Sequence, residues 1–196
     1  MSLGISAPGG RQSQALRAAD QAESGWTLTE RTHSSNVTRM KPNPYAADLG
    51  GRDPLEALED TPQEIRRLVD SWPAERFEKS YAPGKWSARR VLVHLAQTDL
   101  ALGTRVRFAL SQDGYAAQAF SQDDWIGIDD GVDAKTALEA YLAVRRLNLA
   151  MFRNLGPAQR ERAFTHPEYG TLNVWWVANQ MAGHDLHHLE QLRRIE

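Results

Sequence analysis

The chain has 196 residues, 41% hydrophobic and 24% charged, with a formal net charge of −2 and no cysteine. Those values suit a globular domain large enough to bury a core. They argue against a broad basic footprint for nucleic acid, and they exclude disulfides and thiolate chemistry from the protein itself.

Residues 1–39 are rich in Ser, Gly, Gln and Thr and show no sustained hydrophobic period. They are expected to be a disordered or weakly ordered N-terminal extension, with Met40 as the natural start and residues 40–196 as the folded domain. The opening "MSLGISAPGGRQSQALRAAD" lacks the apolar stretch of a secretory signal, and no apolar run reaches membrane-spanning length. With cysteine absent, a cytoplasmic protein is expected, with no membrane and no nucleic-acid partner.

Four helical segments follow. The first is expected over Thr61–Trp72, with Thr61 as N-cap, Pro62 at the first helical position and Glu64 completing a capping box. Leu55 and Leu58 extend its apolar side, so a start nearer Asp53-Pro54 is the alternative. The second opens at Ser87 and runs to about Leu110, with Val91, Leu95, Leu102 and Val106 at helical spacing. Gly103 within it marks a weak point or a close approach. A long polar and acidic connection, 111–132, reads as a solvated loop or a lid; its acids lack EF-hand spacing. The third helix is capped by Asp133 and closes at Gly156-Pro157. The linker "HPEYGTLN" leads into the fourth, "VWWVANQMAGHDLHHLEQLRRI", capped by Thr171 or Asn173. No strand-like alternation of any length is visible. The expected fold is all-α, a four-helix bundle with a long crossover between the second and third helices.

The last helix gathers three of the chain's six histidines in five residues. At about 100° per residue, with His184 at zero, the apolar stripe centres near about 80° and His188 falls at about 40°. His187 lies near about −60°, on the solvated side. His184 and His188 therefore face inward together, one turn apart. His94 borders the apolar stripe of the second helix in the same way. One H-x3-H pair is weak evidence, because surface helices carry such pairs by chance, and a single inward histidine is most simply a core-edge residue. Three imidazoles of matching phase from two helices make a plausible three-ligand metal site with one open position. Imidazole suits zinc, nickel, copper or iron alike.

"GKWSARRVLVHLAQTDL" (84–100) together with "GTLNVWWVANQMAGHDLHHLEQLRRI" (170–195) resembles the DinB-like superfamily, the group of YfiT-type metal-dependent hydrolases. The shared pattern is a Trp-Ser pair opening a helix, a histidine seven residues after the Ser, and a late helix with H-x3-H: Trp86-Ser87, His94, His184 and His188. The resemblance spans about 53–195. It implies the bundle with its crossover, a divalent metal (zinc or nickel foremost) on the three histidines, and frequent homodimers. Activities it implies are hydrolysis, or transfer and isomerisation reactions that use a low-molecular-weight thiol, on a small-molecule substrate. Relatives often carry an acid three residues after the first histidine. Here that position is Gln97, with Asp99 two further on.

Asp185 falls at about 100° on the same wheel, in the middle of the apolar stripe. A buried carboxylate needs a partner, and Arg105 or Arg145 are in phase to provide one. An ion pair between helices is the simplest role for it, and a place behind a metal ligand is the other. Trp86, Trp125 and Trp176 are candidate pocket-lining residues, with core packing the simpler reading for each. Trp175 and Trp176 face about 100° apart, so one is a candidate dimer contact. An enzyme and a non-catalytic metal-binding stress or sensory module both fit the histidine pattern, as does a bundle whose histidines bind nothing. Asp185 close behind the metal ligands in a pocket favours the enzyme; a fourth protein ligand, or no cavity beside the metal, favours the binding module.

Overall fold

The computed structural model of the protein describes residues 40–196, and the expected 1–39 extension lies outside them. The elements run in the order α1 (Ala46–Leu49), α2 (Pro54–Val69), a 3₁₀ turn (Ala74–Glu78), α3 (Ala88–Ser111), α4 (Gln122–Ile128), α5 (Ala134–Arg153), α6 (Pro157–Arg160), β1 (Ala163–His166), β2 (Gly170–Asn173) and α7 (Val174–Arg193). The long helices α2, α3, α5 and α7 form a four-helix bundle. Helix α3 packs on α5 and α7, and α2 packs on α7 and α5. The pairs consecutive among the four long helices, α2 with α3 and α5 with α7, thus stand mainly on the diagonals. Among the described residues no helix is long and apolar enough to cross a membrane.

Helix starts follow from their caps. Ser87 Oγ accepts from the Arg90 N–H, Asp133 from Thr136 and Asn173 from Trp176, each satisfying an otherwise orphaned donor. The first long helix begins earlier than Thr61. Asp53 Oδ1 accepts from the N–H groups of Leu55 at 2.8 Å and Glu56 at 3.1 Å, and Pro54 takes the first helical position. Thr61 and Pro62 lie inside the helix, fully buried or nearly so. Pro62 removes one backbone hydrogen bond, and core packing on both sides carries the helix through it.

Besides the short α1, α6 and the 3₁₀ turn, a hairpin and a helix in the acidic connection depart from the sequence reading. Strands β1 and β2 form an antiparallel hairpin in which Phe164 pairs with Leu172 and His166 with Gly170. Its turn needs the left-handed backbone of Gly170 (φ 72°). Strands of four residues are too short to show alternation, so the hairpin was not visible as a pattern. The acidic connection also contains α4, capped by Ser121. Gln97 Nε2 ties α4 to α3 by donating to Trp125 O at 2.8 Å and Asp129 Oδ2 at 2.7 Å. The connection is pinned to the hairpin as well, through Ala117 N–H to Thr165 O at 2.8 Å.

The apolar core forms two blocks. One is built on Leu102, Val106, Phe152, Val177 and Met181, the other on Val91, Leu95, Tyr141, Leu189 and Leu192. Between them, at mid-helix level, lie buried polar side chains: His94, Thr98 and Asp99 on α3; Arg145 and Asn148 on α5; His184, Asp185 and His188 on α7; α2 adds the buried Thr61. Gly103 belongs to this level. A Cβ there would stand 2.3 Å from Asn148 Oδ1, so it is a close-approach position. Buried polar groups need partners, and those found within this layer, with the few left unpartnered, define the site.

Candidate metal centre

His94 from α3 and His184 and His188 from α7 converge. His184 Nε2 lies 2.9 Å from His94 Nε2 and 3.0 Å from His188 Nε2. All three residues are buried, at 3%, 4% and 6% exposure. Whichever tautomers the neutral rings take, the single proton or lone pair at His184 Nε2 cannot make a well-directed hydrogen bond in both contacts. A positive ion between them removes that conflict. A tetrahedral ion with bonds of about 2.0–2.1 Å needs donors about 3.3 Å apart, a small outward adjustment from the spacing seen. Among the described residues no fourth His, Cys, Asp or Glu joins the cluster. The donor set therefore fits a divalent metal with an open position.

Burial keeps the rings of His94 and His188 in ligand form. Burial, then the charge of His184, lowers His94 to about 3, with Asp185 opposing. Burial, then His184 and His94, holds His188 well below the ordinary histidine value. A relay fixes the His188 tautomer. Asp48 Oδ1 faces His187 Nδ1 at 3.2 Å, His187 Nε2 faces Gln191 Nε2 at 2.9 Å, and Gln191 Oε1 faces His188 Nδ1 at 2.8 Å. Read as donors and acceptors, His188 Nδ1–H donates to Gln191, Gln191 donates to His187, and His187 donates to Asp48. That leaves His188 Nε2 bare toward the other two rings, the usual outer support of a metal-ligating histidine. His94 Nδ1 and His184 Nδ1 have no hydrogen-bond partner among the described residues. Packing orients them instead: Trp86 lies against His94 with centroids 4.9 Å apart, and Tyr45 meets His184 edge-on at 5.1 Å.

Behind the triad runs a buried charge network. Arg145 donates through Nε (2.9 Å) and Nη2 (2.5 Å) to the two oxygens of Asp99, and through Nη1 to Asp185 Oδ2. Tyr141 OH donates to the same Asp185 oxygen at 2.8 Å, and Asn148 Nδ2 to Asp99 Oδ1 at 3.0 Å. Burial pushes Asp99 above the ordinary aspartate range, with Arg145 opposing. Burial acts the same way on Asp185, but the charge of Arg145, with the neighbouring His184 and the Arg145 hydrogen bond, outweighs it and holds that carboxyl low. Of the two arginines in phase, Arg145 is the partner of Asp185. Its other oxygen is 3.9 Å from His184 Nδ1, beyond hydrogen-bond distance.

Two clefts flank the triad. One, of about 150 Å³, is bordered by His94, His184, Thr98 and Arg105, with His166 and Tyr169 from the hairpin region. The other, of about 320 Å³, is bordered by His188, Trp86, Tyr81, Lys85 and Gln191. Tyr45 and Gln122 stand on both. Of the three tryptophans singled out from the sequence, only Trp86 borders either cleft. Trp125 packs on Phe120 at 4.9 Å. Trp176 is 8% exposed, donates through Nε1 to Lys41 O at 3.0 Å, and touches a cavity of only about 20 Å³. Tyr45, His166 and Tyr169 sit in short non-repeating segments that carry no periodic signal. The i, i+4 spacing of His187 and Gln191 was a readable hint of the relay.

The DinB superfamily profile matches residues 57–192, more than half of the chain. The chain belongs to the DinB superfamily. The superfamily relatives it resembles include a protein of Oceanobacillus iheyensis named "Putative metal-dependent hydrolase OB0782". That protein is 25% identical over 142 residues, which cover 72% of this chain and 83% of its own. A Bacillus mycoides protein of the same descriptive name is 25% identical over 144 residues, with 72% and 82% covered. Among solved structures, YfiT from Bacillus subtilis, described as "a probable metal-dependent hydrolase with an unusual four-helix bundle topology", superposes with a TM-score of 0.68 at 21% identity, over 72% of this chain and 83% of its own. A mycothiol-dependent maleylpyruvate isomerase superposes with a TM-score of 0.59 at 12% identity, over 71% of this chain and 59% of its own. At these identities the two structures speak to the DinB fold alone.

Proposed function

We propose that this protein is a metal-dependent enzyme acting on a small molecule, with His94, His184 and His188 as its metal ligands and zinc or nickel as the ion. The observation that carries the reading is the convergence of three Nε2 atoms beside open clefts, with no fourth protein ligand among the described residues. A closed structural site takes four protein ligands, whereas a catalytic one keeps a position for substrate. This favours an enzyme over a non-catalytic metal-binding module.

A divalent ion on three imidazoles supplies Lewis acidity, which activates a water or a thiol near neutral pH. The chain's own residues set the conditions for that. The Asp48–His187–Gln191 relay holds the His188 ring in its tautomer. Trp86 and Tyr45 cover His94 and His184 and keep bulk water off their faces. Burial, with Tyr169 and Asp48, raises Tyr45 above the ordinary tyrosine value, so its hydroxyl stays protonated, on a residue that borders both clefts.

The two clefts favour thiol transfer over simple hydrolysis. A hydrolase needs one organic substrate and water, whereas a transferase must hold a substrate and a low-molecular-weight thiol at once. The chain has no cysteine, so the thiol would come from a cofactor. The test is a paired screen on metal-loaded, untagged protein: esters in water alone, and electrophiles with a panel of small thiols. Turnover that requires an added thiol and is lost in His94→Ala supports the transferase. Thiol-independent ester cleavage supports the hydrolase. No turnover by a protein that retains its metal supports the binding module.

A further inference from the structure

The smaller cleft carries a charge for which the metal reading has no use. Arg105 lies on α3 eleven residues after His94, so both point along one face with the arginine about 16 Å further along the axis. Helical side chains lean toward the N-terminus, and the arginine, longer than the histidine of the same helix, reaches further back along it. It borders the same cleft as His94 and His184. Among the described residues Arg105 makes no ion pair. Its one hydrogen bond is from Nη2 to the Gln118 carbonyl, at 2.5 Å. The Phe120 ring backs the guanidinium, with its centroid 5.5 Å from Cζ. The group is therefore held in place by the connecting segment with most of its N–H donors uncommitted. Between it and His94 stands Thr98, 5% exposed, whose Oγ1 has no hydrogen-bond partner among the described residues. His166 adds another donor. Its Nδ1 accepts from the Glu168 N–H at 3.2 Å, so the neutral ring carries its proton on Nε2. The carboxylate of Glu168 also borders this cleft, though not within ion-pair distance of Arg105. A half-buried cation with free donors, beside a buried hydroxyl that has no partner among the described residues, favours a ligand that satisfies them, and a planar guanidinium fork matches a carboxylate.

We propose that this cleft binds a small carboxylate-bearing substrate, its carboxylate on Arg105 with the Thr98 hydroxyl alongside, so that the rest of the molecule extends to the histidine triad. This rests on the metal-enzyme reading for the position of the reacting end, while the carboxylate site stands on Arg105 and Thr98 alone. At about 150 Å³ the cavity falls below the range of drug-sized sites, which suits a short metabolite acid.

The test has two arms. In the first, full-length protein loaded with Co²⁺ is titrated with a series of ω-mercapto acids of increasing chain length and with their uncharged amides, read by the visible spectrum of the cobalt. The acid of best-fitting length is expected to bind roughly tenfold or more tightly than its amide, in line with a charge-assisted hydrogen bond. Arg105→Gln is expected to erase that preference while taking up cobalt normally, and Arg105→Lys to keep part of it. A preference unchanged in Arg105→Gln overturns the proposal. So does a preference that appears only after Glu168→Gln, since Arg105 would then be serving Glu168. In the second arm, metal-free protein is titrated with the corresponding simple carboxylate and amide, read by the Nε–H resonance of Arg105. A saturable shift with the carboxylate only is expected, and no shift overturns the proposal. If the wild type takes up no cobalt, the metal reading fails, and this second arm still decides the carboxylate site.

Discussion

Replacing Arg145 with Met probes the polar layer that supports the site. Arg145 is 3% exposed and is paired with both Asp99 and Asp185. Removing it leaves two buried carboxylates with only Asn148 and Tyr141 as donors. Breaking a buried pair from one side costs about 3–5 kcal/mol. There is a ceiling, because a stranded carboxyl can protonate: from an unfolded value near 3.9, that costs about 4 kcal/mol per group at pH 7. The expected loss is therefore about 3–5 kcal/mol, a large part of a typical total stability, and a melting temperature lower by roughly 6–20 °C. The pH dependence has a definite sign. In the variant both carboxyls take folded values above their unfolded ones, so their burial is least costly below about pH 4 and grows costlier as pH rises. The gap between wild type and variant should narrow by about 1.4 kcal/mol per pH unit between about pH 7 and 5 from Asp185, which Arg145 holds low in the wild type, and by less from Asp99, which is raised there already. Urea unfolding of the two metal-free proteins at both pH values measures it. A loss below about 1 kcal/mol, or a gap that does not change with pH, would refute the network's role.

Gln191→Leu removes the acceptor of His188 Nδ1–H and should weaken metal binding about 10–100-fold, measured by competition with a chromophoric chelator, with little change in fold by circular dichroism. Gly183→Ala would gain about 1 kcal/mol from helix propensity in an open helix. Here its Cβ would stand 2.3 Å from the Tyr45 carbonyl, so the substitution should destabilise by about 1–3 kcal/mol and loosen Tyr45 from His184; a higher melting temperature would contradict the packing described. The metal-free protein should lose stability as pH falls below about 6.5. His94, at about 3, and His188, also held low, stay neutral when folded but take up protons when unfolded. The slope is up to about 1.4 kcal/mol per pH unit per histidine, and His94→Ala should flatten it.

What was legible in the sequence was what repeats. Helices α3 and α7 show unbroken apolar stripes, and phase alone placed His94, His184 and His188 on inward faces. It also placed Asp185 in a stripe where a carboxylate requires a partner, and Arg145 is that partner. Asp99 could be noted only as an acid near the first histidine. Its pairing with Arg145 depends on how α5 stands beside α3, which no single-helix pattern encodes. The start of α2 was a contest between two caps, and Asp53-Pro54 prevailed because Thr61 is needed in the core. The hairpin and α1, which supply His166 and Tyr45 to the clefts, are four-residue elements below the length at which a period can be read.

The claim on which the rest depends is that three imidazole nitrogens share one ion. X-ray absorption at the metal edge, on untagged protein loaded with one equivalent of zinc or nickel, tests it most directly. The account predicts three imidazole scatterers at about 2.0–2.1 Å for zinc, with the imidazole count falling in His94→Ala. Failure to retain metal, or a first shell unchanged when His94 is removed, would contradict it.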